Sequence, residues 1–349
     1  MNVRGFLFSL TCAILGLIVS LVISFFIGEN PLHVLNVMTA GAFGSWTNIG
    51  YTFYYATPLM FTGFAVSWAL RTGLFNIGAE GQMVMGAMAA TVLTLSLPEI
   101  PSPLSWLLVL IVASFAGGLW GALAGWLKAY RGAHEVLATI LLNIVAAGIT
   151  GYVVNHLYKN PTSQNPETLP FTENFLISTI PWLGGQSPLN WSFVFALILI
   201  VFFSLVNHYT ILGFRSRLTG DSPGLALHAG VDVKKQILLA MAISGAFAGL
   251  AGISEVFSYS GKLKEGFAAG AGFTGIAVAL LGRHHPVGII ASAFLFGALH
   301  KGSLDLDIDT EYISRDFALV IQALIILFIA SENGLVAKVR ELTKGKKNA

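Results

Sequence analysis

The sequence predicts an all-α integral membrane protein of about ten transmembrane helices, some short or broken, arranged as an inverted repeat. Three observations carry that expectation. Of 349 residues, 55% are hydrophobic and only 10% charged, with a mean hydropathy of +0.75; soluble domains hold about 25% charged residues. Apolar runs recur from residue 6 to residue 330, leaving no room for a separate soluble domain, so residues 1–349 read as a single transmembrane domain. The third is a polar, glycine-rich break in that apolar background, residues 71–86, RTGLFNIGAEGQMVMG.

A helix crosses the hydrocarbon core with about 20 apolar residues. Residues 6–27 form the first span, read as an uncleaved anchor because the run is too long for a signal-peptide core. Within it lies Cys12, the single cysteine; it reads as membrane-buried and excludes a disulfide framework or a cysteine metal cluster. Residues 31–45 mix Leu32, Leu35, Met38 and Phe43 with small and polar residues and read as an interfacial segment. Full spans follow at 49–70, 104–127, 136–157, 191–212, 236–257 and 313–330, with shorter ones at 82–97, 268–281 and 287–299. Gly117, Gly121 and Gly125 recur every fourth residue, as do Gly245 and Gly249, followed by Gly252. Such ladders let helices approach closely. Tyr51, Phe53, Tyr54 and Tyr55 fit an outer aromatic belt better than a base-stacking site.

Basic residues near span ends set the orientation. With both termini cytoplasmic, the inner side takes Arg4, Arg71, Lys128, Arg131, Arg215, Arg217, Lys234, Lys235, Arg283, Lys338, Arg340, Lys344, Lys346 and Lys347. The outer side keeps Lys159, Lys262, Lys264, Lys301 and Arg315. The loop 158–190 and the acidic run Asp305, Asp307, Asp309 and Glu311 then fall outside, and the loop 213–235 inside. Spans 2–5 would repeat in spans 7–10 with opposite direction, bringing the short spans 3 and 8 to matching places. The alternative is that span 8 is a tilted or buried helix.

Ionisable groups inside a bilayer cost roughly 2.5–3.5 kcal/mol on insertion scales unless paired or wetted, and glycine clusters break helices. Asn76, Glu80 and Gln82 are therefore candidates to line a substrate pathway at the start of a short span, where free N–H groups face a polar solute. The competing reading pairs Glu80 with Arg71 and makes it a fixture of the loop. A second polar site, residues 270–282 (GAGFTGIAVALLG), places Phe273 as an aromatic wall and Thr274 as a hydroxyl, against a reading of tight packing around glycines. Asn143 is a further pathway candidate, because an amide within a span seeks a polar partner, while Glu135 reads as a helix N-terminal acid.

In the inner loop, Ser222 caps a short helix, Pro223 fits its first position and Gly230 its stop. This helix, residues 223–229, carries Leu225, Ala226 and His228 and reads as a docking surface, or alternatively as a connector on the headgroups. His284 and His285 read as loop residues rather than metal ligands. No GxxxxGK[ST] phosphate loop or nucleophile motif is present, so energy must come from elsewhere. A net charge of +2 is too small to suggest nucleic acid.

RTGLFNIGAEGQ at 71–82, EVLATILLN at 135–143, SGAFAGLAG at 244–252 and GFTGIAVALLGRHHPVGI at 272–289 resemble the nucleoside-uptake permeases of the ABC transporter superfamily. These belong with the ribose and branched-chain amino-acid permeases, and the match resembles the larger of two paired permeases. The resemblance implies a type II-like importer fold and a non-catalytic subunit of the bacterial cytoplasmic membrane. It implies as partners a second homologous permease, cytoplasmic ATPases and an extracytoplasmic binding lipoprotein. No cofactor would be bound directly; ATP and Mg would be used by the ATPase subunits. TGDSPGLALHAGV at 219–231 is similar to the loop that docks the ATPase, which assigns coupling to Asp221, Ser222, Pro223, Leu225, Ala226, His228 and Gly230. Asp221 replaces the usual asparagine, Val231 the usual isoleucine, and Leu225 and Leu227 stand among usually small residues. The expected function is nucleoside import. A simple-sugar importer of the same architecture is the near alternative, and an ion-coupled secondary transporter the alternative from another class.

Overall fold

The computed structural model describes residues 3–331. Lys338, Arg340, Lys344, Lys346 and Lys347, and the side chain of Arg4, lie outside the described residues. Fourteen α-helices follow one another among the described residues. They are α1 (Val3–Ile27), α2 (Pro31–Phe43), α3 (Trp46–Arg71), α4 (Ala79–Ser96), α5 (Leu104–Arg131), α6 (Glu135–Tyr152) and α7 (Pro181–Gly184). After these come α8 (Ser192–Tyr209), α9 (Ile211–Asp221), α10 (Pro223–His228), α11 (Val233–Ala251), α12 (Ala271–Leu281), α13 (Pro286–Asp309) and α14 (Phe317–Ala330). Among the described residues, six stretches are long and apolar enough to cross a membrane: Leu10–Ile27, Leu104–Arg131, Glu135–Leu157, Ser192–Tyr209, Val233–Tyr259 and Pro286–Asp309. Two of these extend past their α-helices through π-helical turns, Val153–Leu157 and Glu255–Tyr259.

α3 lies at the centre, packed by α11, α12 and α13, and every residue from 59 to 69 is buried. Its buried threonines Thr52, Thr57 and Thr62 each donate to a carbonyl oxygen. Thr57 donates to Phe53 O at 2.8 Å, and Thr52 reaches across to Ala42 O at 2.9 Å. Outer helices instead expose apolar side chains, such as Leu107, Ile111 and Phe115 of α5 and Leu141 and Ile144 of α6, the pattern of surfaces meeting lipid rather than water.

The glycine ladders pack α5 against α11. A Cβ on Gly117 would strike Gly245 O, one on Gly245 would strike Gly117 O, and one on Gly249 would strike Ala113 O. Gly86 brings α4 into the same contact, where a Cβ would stand 2.6 Å from the Gly249 Cα. Backbones this close exchange dispersion contacts that larger residues would prevent.

Several sequence expectations are corrected. The segment expected as a short span at 287–299 is the 24-residue α13, which runs on through Asp305, Asp307 and Asp309. An i,i+4 pair, Lys301 Nζ to Asp305 Oδ1 at 2.5 Å, neutralises charge within that extension. The interfacial segment is α2, whose Val34, Val37 and Met38 are buried, because it packs on α13. The loop 213–235 is more helical than expected, with α9 preceding α10. The loop 158–190 is ordered by isolated bridges Lys159↔Thr168, Glu167↔Lys264 and Thr179↔Asn190. Glu167 meets Lys262 Nζ at 2.8 Å, and that hydrogen bond holds the Glu167 carboxyl below the usual carboxylate range. Phe171 stacks on Phe257 at 4.7 Å between centroids, fastening the loop to the π-helical turn that follows α11.

Candidate functional site

Between α3 and α4 the chain turns back on itself. Asn76 Nδ2 donates to Ser244 Oγ at 2.7 Å, and Ser244 Oγ donates to Ala65 O at 2.6 Å. Ala65 lies inside α3, so residues 72–78 re-enter beside the helix that precedes them and α4 begins part-way back along it. Asn76 organises this return. Its Oδ1 accepts from Gly78 N at 2.9 Å, and its amide pairs with that of Gln82 at 2.9 and 3.2 Å. Asn143 closes the other side, with Oδ1 accepting from Gly81 N at 2.8 Å and Nδ2 donating to Ile77 O at 3.0 Å. Buried amides are held where every donor and acceptor has a partner, and both Asn76 and Gln82 are buried.

α12 starts at the same level. Its first residue, Ala271, accepts through its carbonyl from Thr62 Oγ1 at 3.1 Å. Glu80 joins the two helix starts: Gly270 N donates to Oε1 at 3.0 Å and Gly272 N to Oε2 at 2.6 Å. A carboxylate on free helix N–H groups sits at the positive end of the dipole. Glu80 thus sits in the first turn of α4 and accepts from the start of α12, a partner that sequence reasoning did not foresee. Arg71, the alternative partner for Glu80, instead donates to the His284 carbonyl. Gly272 is required at this contact, since a Cβ there would meet the Glu80 backbone. Asn76, Glu80, Gln82 and Asn143 are thereby brought together in one network. The backbone of Phe273 also hydrogen-bonds Glu80, while the residue keeps 48% of its surface exposed.

Thr274 faces a cavity of about 500 Å³, whose wall also includes Tyr54, Tyr55, Glu255, Tyr259, Phe267, His300, Arg315 and Gln322. A volume of this order suits a small organic solute. The Tyr54 hydroxyl donates to the Glu255 carboxylate. Tyr55 meets His300 edge-on at 4.6 Å between centroids. Two of the four residues assigned to the aromatic belt, Tyr54 and Tyr55, therefore line an internal surface. A four-aromatic run on one helix points in several directions at about 100° per residue, so part of it had to face inward. Glu255, Tyr259 and His300 were not singled out in the sequence; the available signal was an acid at the end of an otherwise apolar span.

At the opposite end of the molecule, Ser222 caps α10, its Oγ accepting from Leu225 N at 3.4 Å, with Pro223 at the first helical position. Gly230 takes a φ of +76°, the left-handed conformation that ends the turn. Ala226 is buried, whereas Leu225 and Leu227 are 62% and 66% exposed, as is most of the surrounding segment from Asp221 to Gly230. His228 is exposed as well. Beside α10, Gly220 of α9 lies against the turn after α3, where a Cβ would strike Arg71 O. His284 and His285 sit in the α12–α13 turn, which passes through left-handed backbone at Arg283 (φ 50°) and His284 (φ 57°). No cluster of three or more metal-ligating side chains occurs among the described residues.

The sequence is similar to those of known proteins over most of its length. The guanosine ABC transporter permease protein NupP of Bacillus subtilis (strain 168) is 36% identical over 328 residues, covering 92% of each chain. The nucleoside ABC transporter permease protein NupB of Lactococcus lactis subsp. cremoris (strain MG1363) is 31% identical, covering 94% of this chain and 91% of NupB. The glucose ABC transporter permease protein TsgB13 of Haloferax volcanii is 30% identical, covering 86% of this chain and 80% of its own. No solved structure matches. Residues 48–330, which contain the re-entrant network, the cavity and α10, match the family described as branched-chain amino acid transport system / permease component, and the chain belongs to that family.

Proposed function

We propose that this chain is the membrane-spanning, non-catalytic permease subunit of an ATP-driven ABC importer that takes up nucleosides. The observation that carries the reading is full-length similarity to two permeases whose names specify guanosine and nucleosides, at 36% and 31% identity. The cavity supports it: a space of about 500 Å³ with tyrosines beside a carboxylate and a threonine hydroxyl suits an aromatic base joined to a sugar. The similarity to a glucose permease at 30% identity favours simple-sugar import as the second reading.

In this proposal the chain crosses the cytoplasmic membrane about ten times, with both termini inside and α3, α4, α12 and α14 joining the six long apolar spans. Two helix starts meeting at Glu80 support an inverted repeat, because broken helices at matching places are the mark of that architecture. The exposed leucines of α10 would dock a cytoplasmic ATPase, through Asp221, Ser222, Pro223, Leu225, Ala226, His228 and Gly230. A second homologous permease completes the pathway and a binding lipoprotein delivers substrate. ATP and Mg act only in the ATPase subunits. Asn76, Glu80, Gln82, Asn143, Phe273 and Thr274 would belong to the pathway, the amides and Glu80 by holding its broken helices and Thr274 by facing the cavity.

The test is uptake of labelled guanosine, adenosine, uridine, glucose and ribose by the complete importer in proteoliposomes. ATP-dependent accumulation of nucleosides is expected. Uptake of a sugar alone would replace the nucleoside assignment, and accumulation driven by sodium or protons without the ATPase would overturn the ABC mechanism.

A further inference from the structure

The cavity holds a feature that the similarity to other permeases does not address: a fixed carboxylate surrounded by aromatic rings. Glu255 begins the π-helical turn Glu255–Tyr259, which closes on Ser260 N donating to Glu255 O at 2.8 Å. Single π turns are frequent at functional sites because they re-aim side chains out of helical register. Here the turn brings both Glu255 and Tyr259 to the cavity wall, where Tyr54 and Tyr55 of α3 also stand. The Tyr54 hydroxyl donates to one carboxylate oxygen of Glu255, and Ser260 Oγ donates to the other at 3.2 Å. Tyr54 packs on Tyr259 at 5.7 Å and on Tyr55 at 5.1 Å between centroids, and Tyr55 on His300 at 4.6 Å. Its two neighbours thus hold the carboxylate in place without saturating it, since an ionised carboxylate offers about four acceptor sites.

A half-buried, acceptor-only group next to aromatic faces discriminates between bases by their donor pattern. Guanine presents two adjacent N–H donors, N1–H and the N2 amine, on one edge, which match the two oxygens of a carboxylate. Hypoxanthine keeps N1–H and lacks the amine. Uracil flanks its single N–H with two carbonyls that the carboxylate repels. A site built to receive hydrogen bonds disfavours the analogue that cannot make them far more than an apolar pocket rejects a missing methylene.

We infer that Glu255, held by Tyr54 and Ser260 and flanked by Tyr55 and Tyr259, is a specificity-determining residue that reads the paired N–H donors of a guanine-type base during passage. The inference rests on the nucleoside reading above. Tyr55 and Tyr259 supply stacking surface that tolerates any base, and Glu255 supplies the preference. Stacking on aromatic side chains is indifferent to sequence, so the two contributions separate by mutation.

The experiment measures uptake of labelled guanosine by the complete importer, with unlabelled inosine and uridine as competitors, for the wild type and Glu255→Gln. The lipoprotein's own selectivity is common to both and cancels in the variant-to-wild-type ratio. The wild type is expected to prefer guanosine over both competitors. In Glu255→Gln the guanosine-to-inosine preference is expected to fall about tenfold, the scale of one lost hydrogen bond to a charged group. Equal loss of guanosine and inosine uptake would overturn the inference and leave Glu255 a tether between α3 and the π-helical turn after α11. A wild type that takes up nucleosides without preferring guanosine would overturn it too. A wild type that takes up no nucleoside sinks the nucleoside reading itself, a different outcome. Should the variant fail to assemble, photo-crosslinking of 8-azidoguanosine to the wild-type complex decides: labelling of Tyr55 or Tyr259 is expected, and labelling confined to other segments refutes the site.

Discussion

Glu80 shows how a costly residue becomes a structural necessity. A carboxylate among apolar helices is unfavourable unless it meets donors, and here the donors are the backbone amides of Gly270 and Gly272 at 3.0 and 2.6 Å. Replacing it with glutamine keeps the shape but exchanges one acceptor oxygen for an NH2 donor that faces an amide. Glu80→Gln is therefore expected to destabilise the permease by about 1.5–3 kcal/mol, the contribution of a hydrogen bond to a charged group. Thermal unfolding of the purified complex would measure it. Uptake should fall more than complex assembly, because the bond joins the two helix starts beside the cavity rather than a subunit surface. Parallel loss of both would reduce Glu80 to a folding residue. Its value as a marker was legible in the sequence, since a charge in a glycine-rich break needs an explanation. Its partner was not, because Gly270 and Gly272 are 190 and 192 residues away and a backbone N–H leaves no trace in residue type.

At the scale of elements, the α5–α11 crossing was legible because glycine spacing states it directly: four-residue repeats on two helices predict close approach, and Gly117 does face Gly245 and Gly249. Gly117→Val would place branched carbon against the Gly245 carbonyl, and the helices would have to separate. Its cost is expected to reach about 3 kcal/mol or more, read as lost monodisperse material in detergent and a lowered melting temperature. Gly148 in α6 is the control, with open space where its Cβ would go; Gly148→Ala should be neutral or stabilise by up to about 1 kcal/mol. Equal damage from both substitutions would remove packing as the cause. α13 was read too short for a different reason. Asp305, Asp307 and Asp309 lower its apparent hydropathy, and only the Lys301 pairing and the seat on α2 reveal why the helix continues. The same limit applied to Tyr54 and Tyr55, whose composition suggests a membrane interface while their partners make them cavity wall.

Across the whole molecule, the arrangement links the surface proposed to meet the ATPase with the network that holds the broken helices. α10 follows directly from α9, and α9 touches the turn after α3 at Gly220, where a Cβ would collide with Arg71 O and approach Gly73 N to 3.0 Å. Gly73 itself needs a φ of +76° to begin the re-entrant segment. From that turn the chain leads within a few residues to Asn76 and Glu80, while the Arg71 guanidinium grips the His284 carbonyl and so holds the α12–α13 turn. In the proposed coupling, a push on α10 would therefore arrive at one junction that α3, α4 and α12 share. Rigid elements packed with no spare volume transmit displacement rather than absorb it. Gly220→Ala would wedge α9 away from this junction while leaving the outward side chains of α10 in place. ATP hydrolysis by the assembled importer is then expected to persist, and substrate taken up per ATP hydrolysed to fall about fivefold, equivalent to ~1 kcal/mol of coupling. Measuring both quantities on one proteoliposome preparation tests the route. If hydrolysis and uptake decline together, the contact serves only to seat the ATPase; if neither changes, force passes from α10 to the pathway by another path, through α11.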